Sequence, residues 1–430
     1  MNILIKNVRL LDPSKNIDAN NADIYIANGK IFDIVLDSSK KNFAADKIIQ
    51  ANGLIACPGL IDLSARLNSI EVELAAATAG GITTLVVPPD TTPPLDEPEL
   101  ADRLIHRAKD VKKTKVFPLG ALTLGLEGKK LAELAGLKKV GCIAFSQANR
   151  PIIDTQSLLR TLQYAATFGF CVWYQPQDFY LSQNGFAHDG LIASRLGLAA
   201  IPVAAETISL LTLLELAKLT NVKLHFMRLS TAKGVEILQQ NEYKNNITYD
   251  VNIHHLLMTE NNINYFDTNA KFVPPLRSEN DRQSLNKAII NNDNVAITSD
   301  HTPISAENKL LPFGEAKAGA SGVELLLPLT LLWAKQNQVS LLEAIKKITA
   351  IPAKIIRTAV NDDSEKNLQN LGTLNIGGNA DLCLFDENEA WQICEKNLKS
   401  RGKNTPFFNE TLNGKVKLTI IDGRIIYSDL

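Results

Sequence analysis

The chain has 430 residues, with 45 basic against 46 acidic side chains, a formal net charge of −1 and 45% hydrophobic residues. That balance supplies no whole-protein attraction to nucleic acid or to an anionic membrane, and the length leaves room for a large domain beside a smaller one. Cys57, Cys142, Cys171, Cys383 and Cys394 are scattered without CxxC spacing, which speaks against a cysteine-built zinc site and fits reduced thiols of a cytoplasmic protein.

The first residues, MNILIKNVRLL, alternate apolar and polar like a strand and lack the apolar core of a signal peptide. No apolar run approaches the roughly 20 residues that cross a bilayer. Strand-like runs are predicted at 3–10, 22–26, 30–35 and 47–49, separated by turn signals at Asn28-Gly29 and Asn52-Gly53. From residue 57 onward, apolar strand candidates alternate with helical patterns. The strands are predicted at 84–87, 115–119, 142–145, 171–174, 223–227, 247–251 and 295–298. The helices are predicted at 71–79, 155–168, 208–219, 232–239 and 341–348. The basic run 109–115 reads as a solvated helix end, and 88–98 and 361–370 as mobile stretches. Strand character returns at 380–385, 416–421 and 424–427, with Asp422-Gly423 as a hairpin signal.

Repeated strand-then-helix order predicts a (β/α)8 TIM-like barrel over residues 57–365. The β-rich ends, 1–56 and 366–430, are expected to meet in one small composite β-sandwich.

Several stretches, in order along essentially the whole chain, resemble dihydroorotases of the amidohydrolase superfamily. Pro58–Leu63 (PGLIDL) is similar to the segment that leads into HxH in that family, and Ala79–Thr84 (AGGITT) to its AAGGFTT turn. His254-His255-Leu256, Lys271–Arg277 (KFVPPLR), Ser299–Pro303 (SDHTP), Gly322–Leu329 (GVELLLPL) and Asn404–Phe407 (NTPF) resemble further family motifs. Each alone is weak, and together they are specific. The resemblance implies the barrel, a ligand site at the C-terminal ends of its strands, and chemistry in which a divalent metal polarises a carbonyl and activates water.

The positions that carry that chemistry are altered. Where the family has HxH this chain reads Ser64-Ala65-Arg66, and a guanidinium stays charged and repels a cation. The acidic run becomes Phe145–Asn149 (FSQAN), placing Gln147 at a ligand position; HxED becomes Gln175–Asp178 (QPQD); and HxST becomes Arg228–Thr231 (RLST). Of the usual ligands Asp300 alone survives, as a vestigial carboxylate expected to pair with Arg66 or Arg228. The substrate-gripping arginine is Asn68, the asparagine of the PNT turn is Asp90, and the asparagine of the NPPLR segment is Val273. No metal and no cofactor are therefore expected.

The six histidines, His106, His188, His225, His254, His255 and His301, form neither HxH nor HExxH. His254 and His255 would point opposite ways on a strand and read as hydrogen-bonded structural residues. There is no GxSxG elbow, P-loop or GxGxxG after a strand.

Two functions are open on these grounds. One is a non-catalytic structural or regulatory subunit of a homo- or hetero-oligomer, joined, as the resemblance implies, to the aspartate carbamoyltransferase catalytic chain in pyrimidine biosynthesis. The other is a diverged cyclic-amide hydrolase, or a protein that binds an anionic metabolite through Arg66 and Arg228 in the old pocket. The first is the expectation, and with it that the chain is not an enzyme.

Overall fold

A computed structural model describes residues 2–36, 43–241, 247–360 and 366–430. The N-terminal strands are β1 (Ile3–Asp12), β2 (Ile17–Ala27), β3 (Lys30–Val35), β4 (Lys47–Gln50) and β5 (Ile55–Pro58). The chain then enters the barrel through β6 (Leu60–Asp62), β7 (Ile82–Val87), β8 (Lys115–Ala121), β9 (Ala144–Ser146) and β10 (Cys171–Tyr174). After a two-residue pair, β11 (Ala187–His188) and β12 (Ala200–Ile201), the barrel continues with β13 (Lys223–Phe226), β14 (Ile247–Asn252) and β15 (Val295–Thr298). Finally β16 (Leu382–Gln392), β17 (Thr411–Ile421) and β18 (Arg424–Ser428) return to the N-terminal strands.

The two ends do meet. β16 pairs antiparallel with β5, and β1 pairs with β2, β4 and β5, so one sheet is built from both termini. Alternation explains its core: Ile3, Ile5, Leu382, Leu384, Leu418 and Ile420 point to one buried face. Lys115, expected in a solvated basic run, instead leaves the helix end and bridges Asp381 and Asp422 at 2.7 and 2.8 Å.

The barrel strands run in parallel order from β6 to β15. Their short apolar runs are wholly buried, as strands covered on both faces must be. β6 and β15 do not pair as strands, and side chains close the gap. The Asp62 carboxylate accepts from Thr298 Oγ1 (2.6 Å), from the Ser299 amide (3.0 Å) and from Ser299 Oγ. Just beyond, the Arg66 amide donates to His301 O and the His301 amide to Ser64 O, at 2.9 and 3.1 Å. This closure brings Ser64, Arg66 and Asp300 together although they lie more than 230 positions apart.

The helix 155–168 is observed as Thr155–Thr167, capped by the Asp154 side chain, and 232–239 as Ala232–Gln240, capped by Thr231. Helices α1 (Ile70–Ala79) and α2 (Pro98–Val111) flank the barrel mouth. The helix Glu279–Asn291 lies outside the sequence-based expectation; of α2 only the end was expected, at the basic run, and it starts at Pro98, the last residue of the stretch expected to be mobile. His254 and His255 sit on a short helix, Ile253–Leu257, rather than a strand, because Asn252 accepts from the His254 amide and starts a turn. Residues 361–365, within the other stretch expected to be mobile, lie outside the described residues. Among the described residues no helix is long and apolar enough to cross a membrane.

Candidate functional site

At the C-terminal mouth of the barrel, Arg228 enters from the loop after β13 and Asp300 from the loop after β15. Both backbones are left-handed, with φ of +54° and +47°, a conformation costing about 1–2 kcal/mol for a non-glycine residue. Surrounding contacts hold them there. The Arg228 amide donates to Asp250 Oδ1 at 2.8 Å, and Ser64 Oγ donates to Asp300 Oδ1 at 3.1 Å.

Arg228 is 1% exposed and its guanidinium is almost fully used. Nη1 donates to Asp300 Oδ1 and Oδ2 at 3.1 and 3.3 Å and to Val273 O at 3.3 Å, and Nη2 donates to Asn149 Oδ1 and Gln175 Oε1. The amides at Asn149 and Gln175 thus supply acceptors for a cation that belongs to the protein. Arg66 completes the arrangement: Nη1 donates to Asp300 Oδ1 (3.1 Å) and Thr302 Oγ1 (3.0 Å), and Nε to Asp90 Oδ2 (3.0 Å). Two guanidiniums face two carboxylates, so the quartet Arg66–Arg228–Asp90–Asp300 is formally neutral.

Burial pushes the Asp300 carboxyl upward, but the charges of Arg228 and Arg66 outweigh it and hold Asp300 below the ordinary carboxylate range. Burial likewise opposes the charge on Arg66, and Asp90 and Asp300 hold its pKa above the usual value. The change of asparagine to Asp90, which looked like damage in the sequence, therefore balances the change of histidine to Arg66.

Among the described residues there is no group of three His, Cys, Asp or Glu able to hold a metal ion. The donors present, Ser64, Arg66, Gln147, Gln175 and Arg228, do not fit a divalent cation, and Asp300 already accepts from two guanidiniums. Gln147 is turned away and exchanges hydrogen bonds with Thr123 at 2.8 and 3.1 Å. Val273 contributes its carbonyl to Arg228 rather than a side-chain contact to a ligand. Asn68 is bound through Nδ2 to Pro303 O at 2.6 Å.

The motifs carried over from the family resemblance serve as scaffold. The buried Arg277 donates to Ser230 Oγ and Ile201 O at 3.1 and 2.9 Å. His255 is held against Pro274 O and Pro275 O, both at 3.2 Å, and His254 against Asn252 Oδ1 at 2.8 Å. Burial depresses both rings, His254 to about 3 and His255 to about 4, so they are neutral at ordinary pH. Asn404 accepts from the Ile304 amide and donates to Thr302 O and Gly319 O, stapling the linker from the composite sheet onto the barrel mouth. His301 Nε2 lies 3.0 Å from Glu73 Oε2, and Glu73 Oε1 accepts from the Arg401 amide at 3.2 Å. That linker delivers Arg401, unforeseen in the sequence, to the site.

Above the quartet lies a cavity of about 430 Å3, with Arg66, Asp90, Arg103, Arg107 and Arg401 among its walls. A neighbouring cavity of about 620 Å3 shares Arg66, Asn68, Asp90 and Arg401. Arg228, expected as an anion contact beside Arg66, lines neither cavity because its guanidinium is closed beneath Asp300. The sequence signal that could have found Arg103 and Arg107 was their i,i+4 spacing on an amphipathic helix.

A barrel mouth of this construction, with a composite sheet beside it, is the amidohydrolase architecture. Sequence models described as "Dihydro-orotase-like" and "Amidohydrolase family" match residues 53–233 and 198–426. The chain is 36% identical to a "Dihydroorotase-like protein" of Pseudomonas putida, covering 99% of both chains. It is 32% identical to a "Dihydroorotase" of Syntrophus aciditrophicus, covering 100% of each. Among solved structures, an L-hydantoinase (dihydropyrimidinase) from Arthrobacter aurescens superimposes with a TM-score of 0.84 at 21% identity, covering 99% of this chain and 96% of that one. The chain belongs to the amidohydrolase family, in its dihydroorotase-like branch.

These comparisons correct one expectation. The chain was expected not to be an enzyme, on the ground of its altered ligand positions. Relatives matched end to end are named dihydroorotase, and the solved neighbours are hydantoinases, so the comparisons point to a hydrolase. Altered ligand positions by themselves do not show loss of catalysis.

Proposed function

We infer that this chain is a diverged dihydroorotase-like protein that takes an anionic cyclic amide at its barrel mouth, and that the hydrolysis of such amides is its reaction class. The observation that carries this reading is an open cavity over the Arg66–Asp90 pair in a chain related end to end to proteins named dihydroorotase. Asp90 Oδ1 is buried and has no hydrogen-bond partner, while Arg66 Nη2 lies 3.0 Å from Asp90 Oδ2. A free carboxylate oxygen beside a guanidinium suits the N–H and C=O of an amide edge. Because the donors beneath do not fit a divalent cation, any ring opening is expected to be indifferent to chelators.

The test is to measure binding of dihydroorotate and its ring-opened product together with turnover in both directions, on native protein and on Arg66→Ala, with and without chelator. Binding lost in the variant supports the reading. Failure to bind either compound, or turnover that requires added zinc, overturns it.

Association with an aspartate carbamoyltransferase catalytic chain, in pyrimidine biosynthesis, is proposed as the partner reading. Co-elution of the two purified chains on gel filtration supports this association, and separate elution at micromolar concentration contradicts it.

A further inference from the structure

We propose that the trough formed by the two cavities at the barrel rim is a binding site for a compact dianion, a phosphate or a short dicarboxylate, gripped between Arg103 and Arg401 with Arg66 at its floor. Arg66, Asn68, Asp90 and Arg401 line both cavities, so the two are neighbours along one rim. The first cavity adds Arg103 and Arg107, and the second adds Lys317. Among the described residues Asp90 is the sole carboxylate in either wall.

The cations differ in what they already do. Arg107 is paired with Glu71 at 2.9 Å, and Arg66 is shared between Asp90 and Asp300. Among the described residues, the Arg103 and Arg401 side chains have no carboxylate within ion-pair distance. Two guanidiniums without a carboxylate partner therefore stand at one cavity, with the paired Arg66 at its floor. Guanidinium forks match the oxygen geometry of phosphate and carboxylate, which a single negative charge would leave half unused.

The fold holds these groups rather than leaving them to chance. Arg103 stands on α2 one helical turn before Arg107, whose pairing with Glu71 links α2 to α1. The Arg401 backbone is fixed by Glu73, which is itself bound to His301. The next residue, Gly402, lies so close to Pro303 that an added Cβ would fall 2.6 Å from the Pro303 Cα. The linker is thereby pressed against the mouth with the Arg401 side chain at the cavity wall.

The test is calorimetric titration at low ionic strength, where exposed charges are least screened, with inorganic phosphate, malonate and acetate as probes. Native protein is compared with Arg103→Ala and Arg401→Ala, whose exposed side chains leave the packed core untouched; circular dichroism confirms folding. One site is expected for phosphate or malonate, with affinity falling about tenfold or more in each variant, and with acetate much weaker. Tighter phosphate points to a phosphorylated metabolite, and tighter malonate to a dicarboxylate. Absence of millimolar binding by both dianions, affinity unchanged in both variants, or acetate binding as well as malonate would overturn the proposal. The probes are read without turnover, so this outcome is separate from that of the cyclic-amide assay.

Discussion

The floor and the rim of the same barrel mouth use arginine in opposite ways. At the floor, Arg228 is sealed in and matched by Asp300, Asn149 and Gln175, so its charge holds the protein together. At the rim, Arg103 and Arg401 stand exposed beside a cavity with no carboxylate partner among the described residues. Arg66 lies between the two, bound to Asp300 below and Asp90 at the cavity wall. A buried charge must be satisfied by the fold, whereas an exposed unpaired charge is free for a ligand.

Removing the floor cation should have the largest effect. Arg228→Ala leaves Asp300 without the larger of its two compensating charges and strips partners from Asn149 and Gln175. A loss of about 3–5 kcal/mol of stability is expected in denaturant unfolding. A loss below 1 kcal/mol would mean that the floor is not built around this charge.

Acid should weaken the floor next. His254 and His255 have pKa values near 3 and 4 in the folded chain, below the ordinary 6.5. The unfolded state therefore binds more protons than the folded state at pH values below 6.5, and their contribution, complete above that pH, is lost as pH falls. Between pH 6.5 and 5 unfolded carboxylates stay largely ionised; His188, also depressed by burial, adds to the fall, and the raised carboxyls of Asp62, Glu260, Glu324 and Asp381 oppose it. Stability should fall with a limiting slope of about 1.4 kcal/mol per pH unit for each ring. A flat profile in that window would show that the rings are protonated in the folded protein.

Asp90→Asn tests the junction. It leaves Arg66 paired with Asp300 alone and is expected to cost about 1 kcal/mol, read in the same unfolding assay. At the rim, Arg103→Ala and Arg401→Ala should change stability by no more than about 0.5 kcal/mol while weakening dianion binding. Equal destabilisation by rim and floor variants would erase the distinction between them.

The barrel was legible because β10, β13 and β15 are short strand-like runs spaced by helical segments; in the terminal sheet, Lys30–Val35 was legible beside its turn signal. That Ser64, Arg66, Gln175 and Arg228 gather at the barrel mouth around Asp300 was legible from motif positions alone. How they pair was not. The pairing of Arg66 with Asp300 depends on barrel closure between β6 and β15, and the acceptance of Arg228 by Asn149 on the convergence of the loops after β9 and β13, which no local pattern encodes. Arg103 and Arg401 lie nearly three hundred residues apart, and only α2 and the Asn404 staple bring them to one cavity. His254 and His255 read as strand neighbours because the Asn252 cap was not recognised, although their structural role was.

The central claim is that a guanidinium–carboxylate pair, rather than a held metal, forms the floor. A double-mutant cycle between Arg228 and Asp300, measured by denaturant unfolding in the presence of chelator, tests it most directly. The account predicts a coupling of about 2 kcal/mol or more between the two side chains. Coupling near zero, or a native protein that loses stability when chelator is added, would contradict it.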